Sequence, residues 1–455
     1  MELLILIEIN KMRIIFSAVF FFILFIISKP SDSFSQNFRK EPQKDIQSDT
    51  VGFKSPDSVI VKVKEIDSVS VVKKKMYSIK KDSLINKEKH PQDNKGKGGF
   101  YFVSGNKKSD YRILGSIRIF GSYDINGLRG GTSFSLSDIP VGDSRNTENT
   151  FFMTANISRI GIETNHYTSI GKIFMKLESD FNGSSSLFRI RHAFGQSENF
   201  LAGQTWTVFS DVESLPNTVD LEGPPTAVSL RTVQIRYYKD FKNKFYFKAS
   251  FEAPRVSINV PDSLNLEPVS QKFPDVAVSL RKKFKGFDIS AAGVLKSITV
   301  RDLTGELGSL TGWGGLLSGK FKLFSNFSFS YQGVIGSGIS SYLNISDNNT
   351  NDVLLNTQDG KYELTESLGG YVSLSRKLLR GLIDLNIVYG QLSYKMKDYF
   401  SDDAFEFGQY FAFNAFLITK EEFKLGFEYT YGFKRTKSKQ SANANRLAFT
   451  FYYDF

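Results

Sequence analysis

The sequence predicts an all-β fold, a sixteen-stranded antiparallel transmembrane β-barrel behind a mostly disordered N-terminal extension. Three observations carry that expectation. Apolar and polar residues alternate with a period of two from residue 101 to the end, the connections between these runs alternate between short and long, and an export signal stands at the front with no spanning helix behind it.

Residues 1–35 read as a signal peptide. Lys11 and Arg13 give a positive start, Ile14 to Ile27 form an apolar run, and Ser33-Phe34-Ser35 makes a small-x-small cleavage site before Gln36. Met1 and Met12 both fit as the first residue, and a membrane anchor is the alternative, although the run is shorter than the roughly 20 residues of a spanning helix. Nothing later in the chain resembles such a helix, so an exported chain that lives in a membrane must do so as a barrel.

Residues 36–100 read as a basic periplasmic linker. From residue 37 the segment carries 15 Lys and Arg against 9 Asp and Glu, or +6 of the chain's +11. It has too little apolar surface to fold alone. Val59, Ile66, Val69 and Met76 trace a sparse heptad that would suit a short coiled coil, with Lys73 falling on the seam. The lysines at 73–75 lack the aromatic interleaving that single-stranded nucleic acid requires, and no nucleic-acid partner is expected.

From 101 to 455 the chain reads as the barrel. The closing run RLAFTFYYDF puts Leu447, Phe449, Phe451, Tyr453 and Phe455 on one face and Arg446, Ala448, Thr450, Tyr452 and Asp454 on the other. Strands are expected at 111–123, 151–165, 170–181, 187–196, 199–209, 229–240, 244–254, 274–284, 286–298, 311–323, 325–336, 366–377, 380–394, 405–419, 421–434 and 444–455. Short turns at 166–169, 197–198, 241–243, 285, 324, 378–379 and 420 separate longer loops at 124–150, 182–186, 210–228, 255–273, 299–310, 337–365, 395–404 and 435–443. An outer-membrane barrel sorts its connections this way, with short periplasmic turns and long external loops, whereas a soluble sandwich has no reason to.

Composition narrows the chemistry. With no cysteine, the chain has no disulfide framework, thiolate metal site or cysteine nucleophile; with three histidines, His90, His166 and His192, it offers almost no bases for a triad. No cofactor is expected. His192 shares the parity of Ile190 and Phe194 and reads as lipid-facing, His166 falls in a turn, and Gly127, Gly130 and Gly131 lie in a loop with no helix to make a phosphate cradle. A barrel enzyme would need Ser beside His on one strand face, a pairing the linear sequence does not display. A hydrophobic-solute channel would need an apolar N-terminal hatch where the chain has a basic tail.

Strand parity then assigns the wet face. Where Phe188, Ile190 and Phe194 face lipid, Arg189 and Arg191 face the lumen; where Val233, Ile235 and Tyr237 face lipid, Gln234 and Arg236 turn inward; and Arg112 and Arg118 lie opposite Ile113, Ile117 and Ile119. Guanidinium groups stay charged and grip carboxylate or phosphate in a fork, so such a ladder favours anions. Parity fits equally well an ordinary hydrated lining in which these arginines pair with Glu163, Glu178, Asp180, Glu252 and Asp275. The loop at 210–228, with Asp211, Glu213, Asp220, Glu222 and three prolines, has the stiffness and polarity of a constriction. Gln204 and Trp206 sit where parity is ambiguous and receive no role.

FRIRHAFG at 188–195, LAGQTW at 201–206, VDLEGPP at 219–225, VQIRYY at 233–238 and FPD at 273–275 follow the order and spacing of the DcaP-like trimeric outer-membrane porins, which the chain resembles from about residue 112 to 285. The resemblance implies a sixteen-stranded homotrimeric channel in outer-membrane lipid that passes small hydrophilic anionic solutes, with an N-terminal periplasmic extension and a third loop that narrows the pore. The terminal Phe455 is expected to be the mark read by the outer-membrane assembly machinery.

Overall fold

A computed structural model of the chain describes residues 99–455 apart from 106–107, 143–147, 170, 260–268, 325, 346–350, 357–358 and 420–422. The expected signal peptide, the heptad positions and the linker up to residue 98 lie outside the described residues, while Phe100, at the linker's expected end, begins a short strand.

Sixteen strands build one antiparallel barrel. They are β1 (Ser109–Ile125), β2 in two pieces (Thr150–Thr154 and Arg159–Thr168), β3 (Gly171–Asp180), β4 (Arg189–Gln196), β5 (Phe200–Trp206), β6 (Arg231–Phe241), β7 (Phe245–Glu252) and β8 (Asp275–Lys283). The second half comprises β9 (Phe287–Arg301), β10 (Leu307–Phe324), β11 (Phe327–Ser337), β12 (Glu366–Leu378), β13 (Ile383–Tyr394), β14 (Phe405–Ile418), β15 (Phe423–Thr436) and β16 (Ser441–Asp454). β16 closes onto β1, from Ser116 opposite Asp454 to Ile125 opposite Asn445, so every ladder has a partner and no long edge is left. The sheet counts 18 segments because β2 is interrupted and a four-residue strand, Phe100–Val103, is added beside the first residues of β1. That added strand occupies the position where β16 has ended, just beyond the backbone pairing of Phe455 with Gly115.

The alternation in the sequence becomes an alternation of surfaces. Ile117, Ile119, Val233, Ile235 and Leu317 are exposed outside, while Ser122, Asp124, Gln234 and Ser318 are buried inside. Two expected long loops contract. Between β9 and β10 only 302–306 remain, because the Asp302 carboxylate accepts the N–H groups of Thr304 (2.9 Å) and Glu306 (2.8 Å) and closes a tight turn. Between β15 and β16 only 437–440 remain, tied by the N–H of Thr436 to the Gln440 carbonyl at 2.9 Å. The barrel wall is uneven as a result: β10 has 18 residues, while β4 and β5 have 8 and 7.

Three of the long connections fold inward and give the barrel a core. Phe134, Leu136 and Ile139 from the first loop (126–149), Val208, Phe209 and Val228 from the third (207–230), and Ile339, Tyr342 and Leu343 from the sixth (338–365) bury together against Val294, Leu316, Val334, Val388 and Tyr410 of the wall. A sixteen-stranded barrel is too wide for wall side chains to fill, so apolar loop residues can enter it. The sixth loop is pinned by charge. Lys296 on β9 and Asp352 form an ion pair at 2.9 Å with both side chains fully enclosed, and Asp352 also accepts the N–H groups of Ser341 (2.9 Å) and Ser257 (3.1 Å). Replacing Asp352 by Ala strands a buried ammonium and should lower stability by about 3–5 kcal/mol, read as a lower urea midpoint in vesicles. An unchanged midpoint would place the loop's anchorage elsewhere.

Candidate functional site: an arginine-faced cavity beneath the third loop

The third loop runs along the inside of the wall from β8 to β15. At its start, Asp211 pairs with Arg281 of β8 and accepts from Ser318 of β10 at 2.6 Å, and Glu213 pairs with Arg281 and Lys283. Along its length, Tyr371 of β12 donates to the Ser214 carbonyl (3.1 Å), Asn414 of β14 to the Asn217 carbonyl (2.9 Å) and Gln332 of β11 to the Thr226 carbonyl. At its tip, the Glu428 carboxylate on β15 accepts the consecutive N–H groups of Val219 and Asp220, each at 2.9 Å. Glycine on the wall lets the loop lie flat, since a Cβ at Gly390 would stand 2.8 Å from Pro224 and one at Gly426 2.9 Å from Val219.

Of the four acidic residues in the loop, three are structural ties. Asp211 and Glu213 are paired as described, and Asp220 is buried, accepting the N–H groups of Phe134 (2.9 Å) and Gly223 (3.0 Å); burial pushes its carboxyl up to about 6. Glu222 alone faces the cavity. Burial, reinforced by repulsion from Asp220, pushes its carboxyl up to about 8.

The cavity has a volume of about 570 Å³ and a lining of mixed character. The lining joins third-loop residues Leu215, Pro216, Leu221 and Pro224 and sixth-loop residues Tyr342 and Leu343 to five arginines, Arg159, Arg189, Arg191, Arg231 and Arg255. Arg189 grips Asp180 in a fork (2.9 and 2.8 Å), and Arg191 bridges Asp180 (2.8 Å) and Glu178 (3.0 Å). Arg159 lies 3.8 Å from Glu178, and its buried Nε has no partner among the described residues. Arg231 and Arg255 have no carboxylate within ion-pair distance among the described residues. The guanidinium carbon of Arg231 lies over the Trp206 ring, 3.7 Å from its centroid.

The parity reading therefore meets the structure unevenly. Arg189 and Arg191 come together in the cavity. Arg236 and Gln234 turn inward but stay behind the loop: Arg236 is buried, donating to Gln234 (2.9 Å) and to the Trp206 carbonyl, and Gln234 donates to that carbonyl at 3.0 Å. Arg118 sits nearer the turn end, donating to Ser116 at 2.6 Å and covering the Tyr452 ring at 4.5 Å, while Arg112 stands opposite Glu163 in the ladder. Arg159, Arg231, Arg255 and Trp206 went unassigned in the sequence; Arg231 and Arg255 flank strand ends, where alternation stops informing direction.

His192 corrects the parity reading outright. Glu178 pairs with His192 and Ser179 with Ile190, so Arg191 is an extra residue on β4, a β-bulge. Both Arg191 and His192 are buried inward, and Phe194 follows His192 onto the inner side, against Leu201 and Tyr238. A second correction concerns Ser and His. Ser109 and His166 are cross-strand neighbours with Oγ 2.7 Å from Nδ1, a pairing that appears once β1 and β2 are in register. Ser109 is buried, and among the described residues no carboxylate bonds the other ring nitrogen, so no triad is assembled.

The family model for the DcaP outer membrane protein matches residues 57–455. The chain belongs to the DcaP outer membrane protein family. Among solved structures, the outer membrane channel DcaP of Acinetobacter baumannii is 23% identical, with a TM-score of 0.68 over 78% of this chain and 99% of that one. The anion-selective porin of Comamonas acidovorans is 10% identical at a TM-score of 0.53 (76% and 100% covered), and OmpF of Salmonella typhi in complex with daunomycin is 13% identical at 0.51 (78% and 100% covered). No curated protein matches the sequence. This DcaP-family barrel is an outer-membrane protein, so its long-loop end is external and its short-turn end, with both barrel termini, is periplasmic.

Proposed function

We propose that the chain is a non-enzymatic channel that passes small hydrophilic anions, carboxylates or phosphates, across the outer membrane by way of the arginine-faced cavity. The observation that carries this reading is the pair Arg231 and Arg255, two guanidinium groups on the cavity wall with no acidic partner among the described residues. In an ordinary hydrated lining, charges of opposite sign neutralise one another; here, among the described residues, Arg189 and Arg191 share two acids while Arg231 and Arg255 are left over for a solute. The fold shared with an anion-selective porin agrees with the reading. Reversal potentials across planar bilayers under a KCl gradient test it: an anion preference is expected, and a cation preference would overturn it.

Glu222 makes the preference depend on pH. Its raised carboxyl is neutral below about 8 and ionised above, so taking the solution from pH 7, where Asp220 is already ionised, to pH 9 adds a negative charge to the cavity. Anion preference should fall over that interval in the wild type and stay flat in Glu222→Gln. A wild-type profile as flat as the variant's would remove Glu222 from the conduction path.

The same reading includes a homotrimer. β4 and β5, at 8 and 7 residues, rise only roughly 16–19 Å when tilted near 45°, less than the apolar band of about 25 Å that a lone barrel presents to lipid. The middle of their outward side carries small residues, Ala193 and Gly195 on β4 and Ala202, the register partner of Gly195, on β5. A second copy over this low wall would complete the span. Unboiled samples should migrate as an oligomer and boiled ones as a monomer, whereas a monomer in both would contradict it. In this reading residues 36–100 are a periplasmic spacer off the conduction path, and Phe455 serves assembly.

A further inference from the structure

We propose that His192 is a positioning residue that fixes Arg231 as an anion contact of the cavity, acting through the unit Thr205–His192–Arg231–Trp206. The inference rests on the anion reading above and adds what sets the geometry of its key contact.

The bulge at Arg191 brings His192 inside, where its ring stands between β5 and β6. Nε2 lies 3.4 Å from the Nε–H of Arg231, and Nδ1 lies 3.0 Å from Oγ1 of Thr205. A guanidinium can only donate, so Nε2 must be the acceptor and carry the lone pair. The ring proton is then on Nδ1, where it donates to Thr205. Arg231 is thereby held on two sides, its Nε tied to the imidazole and its guanidinium carbon 3.7 Å over the indole of Trp206, whose ring meets His192 edge-on at 5.8 Å. Of its five N–H donors, one is used among the described residues, leaving the terminal nitrogens for a bound oxyanion.

The surroundings support this division of labour. Glu178 and Lys176 of β3 and Arg191 of β4 also act on His192, but Glu178 is engaged by Lys176 (3.1 Å) and Arg191 (3.0 Å) rather than by Arg231. A histidine with a purely packing role would not need to aim a lone pair at a cation. A loose arginine would lose side-chain entropy on every binding event; one held beforehand does not.

The test is block of the chloride current through the full-length protein in planar bilayers by inorganic pyrophosphate added on the external side. Arg231→Ser should raise the half-blocking concentration about tenfold, the weight of one hydrogen-bonded charge contact. His192→Phe, which removes the acceptor, should raise it about fivefold. His192→Gln should stay within about twofold of the wild type, because its amide oxygen can accept from Arg231 in place of Nε2. The double variant His192→Phe/Arg231→Ser should match Arg231→Ser alone, since His192 acts only through Arg231. Should His192→Phe fail to assemble, Thr205→Val frees the ring from its other side and should shift block in the same direction. Wild-type block in His192→Phe or Thr205→Val beside weakened block in Arg231→Ser would overturn the inference while leaving the anion site standing. Independent, additive losses in the double variant would overturn it as well. Unchanged block in Arg231→Ser would instead bring down the anion reading itself, and this inference with it.

Discussion

Exchanging Arg231 and Arg255 together for Glu should turn an anion-preferring channel into a cation-preferring one, with the reversal potential under a KCl gradient changing sign. Four units of charge change in the lining of a cavity of about 570 Å³, a space about 10 Å across and so comparable with the screening length of about 8 Å at physiological salt. A solute inside cannot escape that field. Neither Arg231 nor Arg255 pairs with an acid among the described residues, whereas a change at Arg189 would mainly disturb its fork with Asp180. Arg236→Glu is the internal comparison. Its guanidinium is buried behind the third loop on Gln234 and the Trp206 carbonyl, so the reversal potential should hold while thermal stability falls. Equal shifts in selectivity from Arg236→Glu and from the double exchange would mean that the barrel's summed charge governs selectivity, and the cavity would lose its special standing.

The second large effect is expected at Glu428. Replacing it by Ala leaves the buried N–H groups of Val219 and Asp220 without an acceptor and takes a partner from Asn414. Each abandoned donor is worth about 1–3 kcal/mol, enough to release the tip of the loop from the wall. The remaining ties, Asp211 to Arg281, Tyr371 to the Ser214 carbonyl and Gln332 to the Thr226 carbonyl, keep both ends in place, so the tip moves alone. Single-channel records should show a changed conductance with added noise, and Glu428→Gln, which retains one accepting oxygen, should fall between. Quiet wild-type conductance in Glu428→Ala would show that the carbonyl clasps suffice.

How much of this was readable beforehand depends on what sets each side chain's direction. In β6, an unbroken ladder fixes direction by position alone, and Gln234, Arg236 and Tyr238 turn inward as alternation requires. In β4, one inserted residue reverses everything after it, and a bulge leaves no mark in composition: RIRHAF alternates just as well unbulged. The loop carboxylates differ again. Asp211, Asp220 and Glu222 look alike in sequence, yet one meets an arginine from β8, one meets the backbone N–H of Phe134 in the first loop, and one meets the cavity.

The sequence by itself determined the strand count, the sense of the barrel and the sorting of turns from loops, because period-two alternation and chain punctuation are local properties that a closed ladder preserves. It also marked the third loop and two of the five arginines of the cavity, Arg189 and Arg191. Only the tertiary structure decided which charges remain unpaired, since pairing depends on residues such as Asp180 with Arg191, or Asp211 with Arg281, that become neighbours when register and loop path are set. The pairing of Ser109 with His166, the inward turn of His192 and the release of Arg231 and Arg255 from any acid among the described residues all belong to that second class. Alternation tells each residue which side it faces; what it meets there depends on strands and loops far away in the chain.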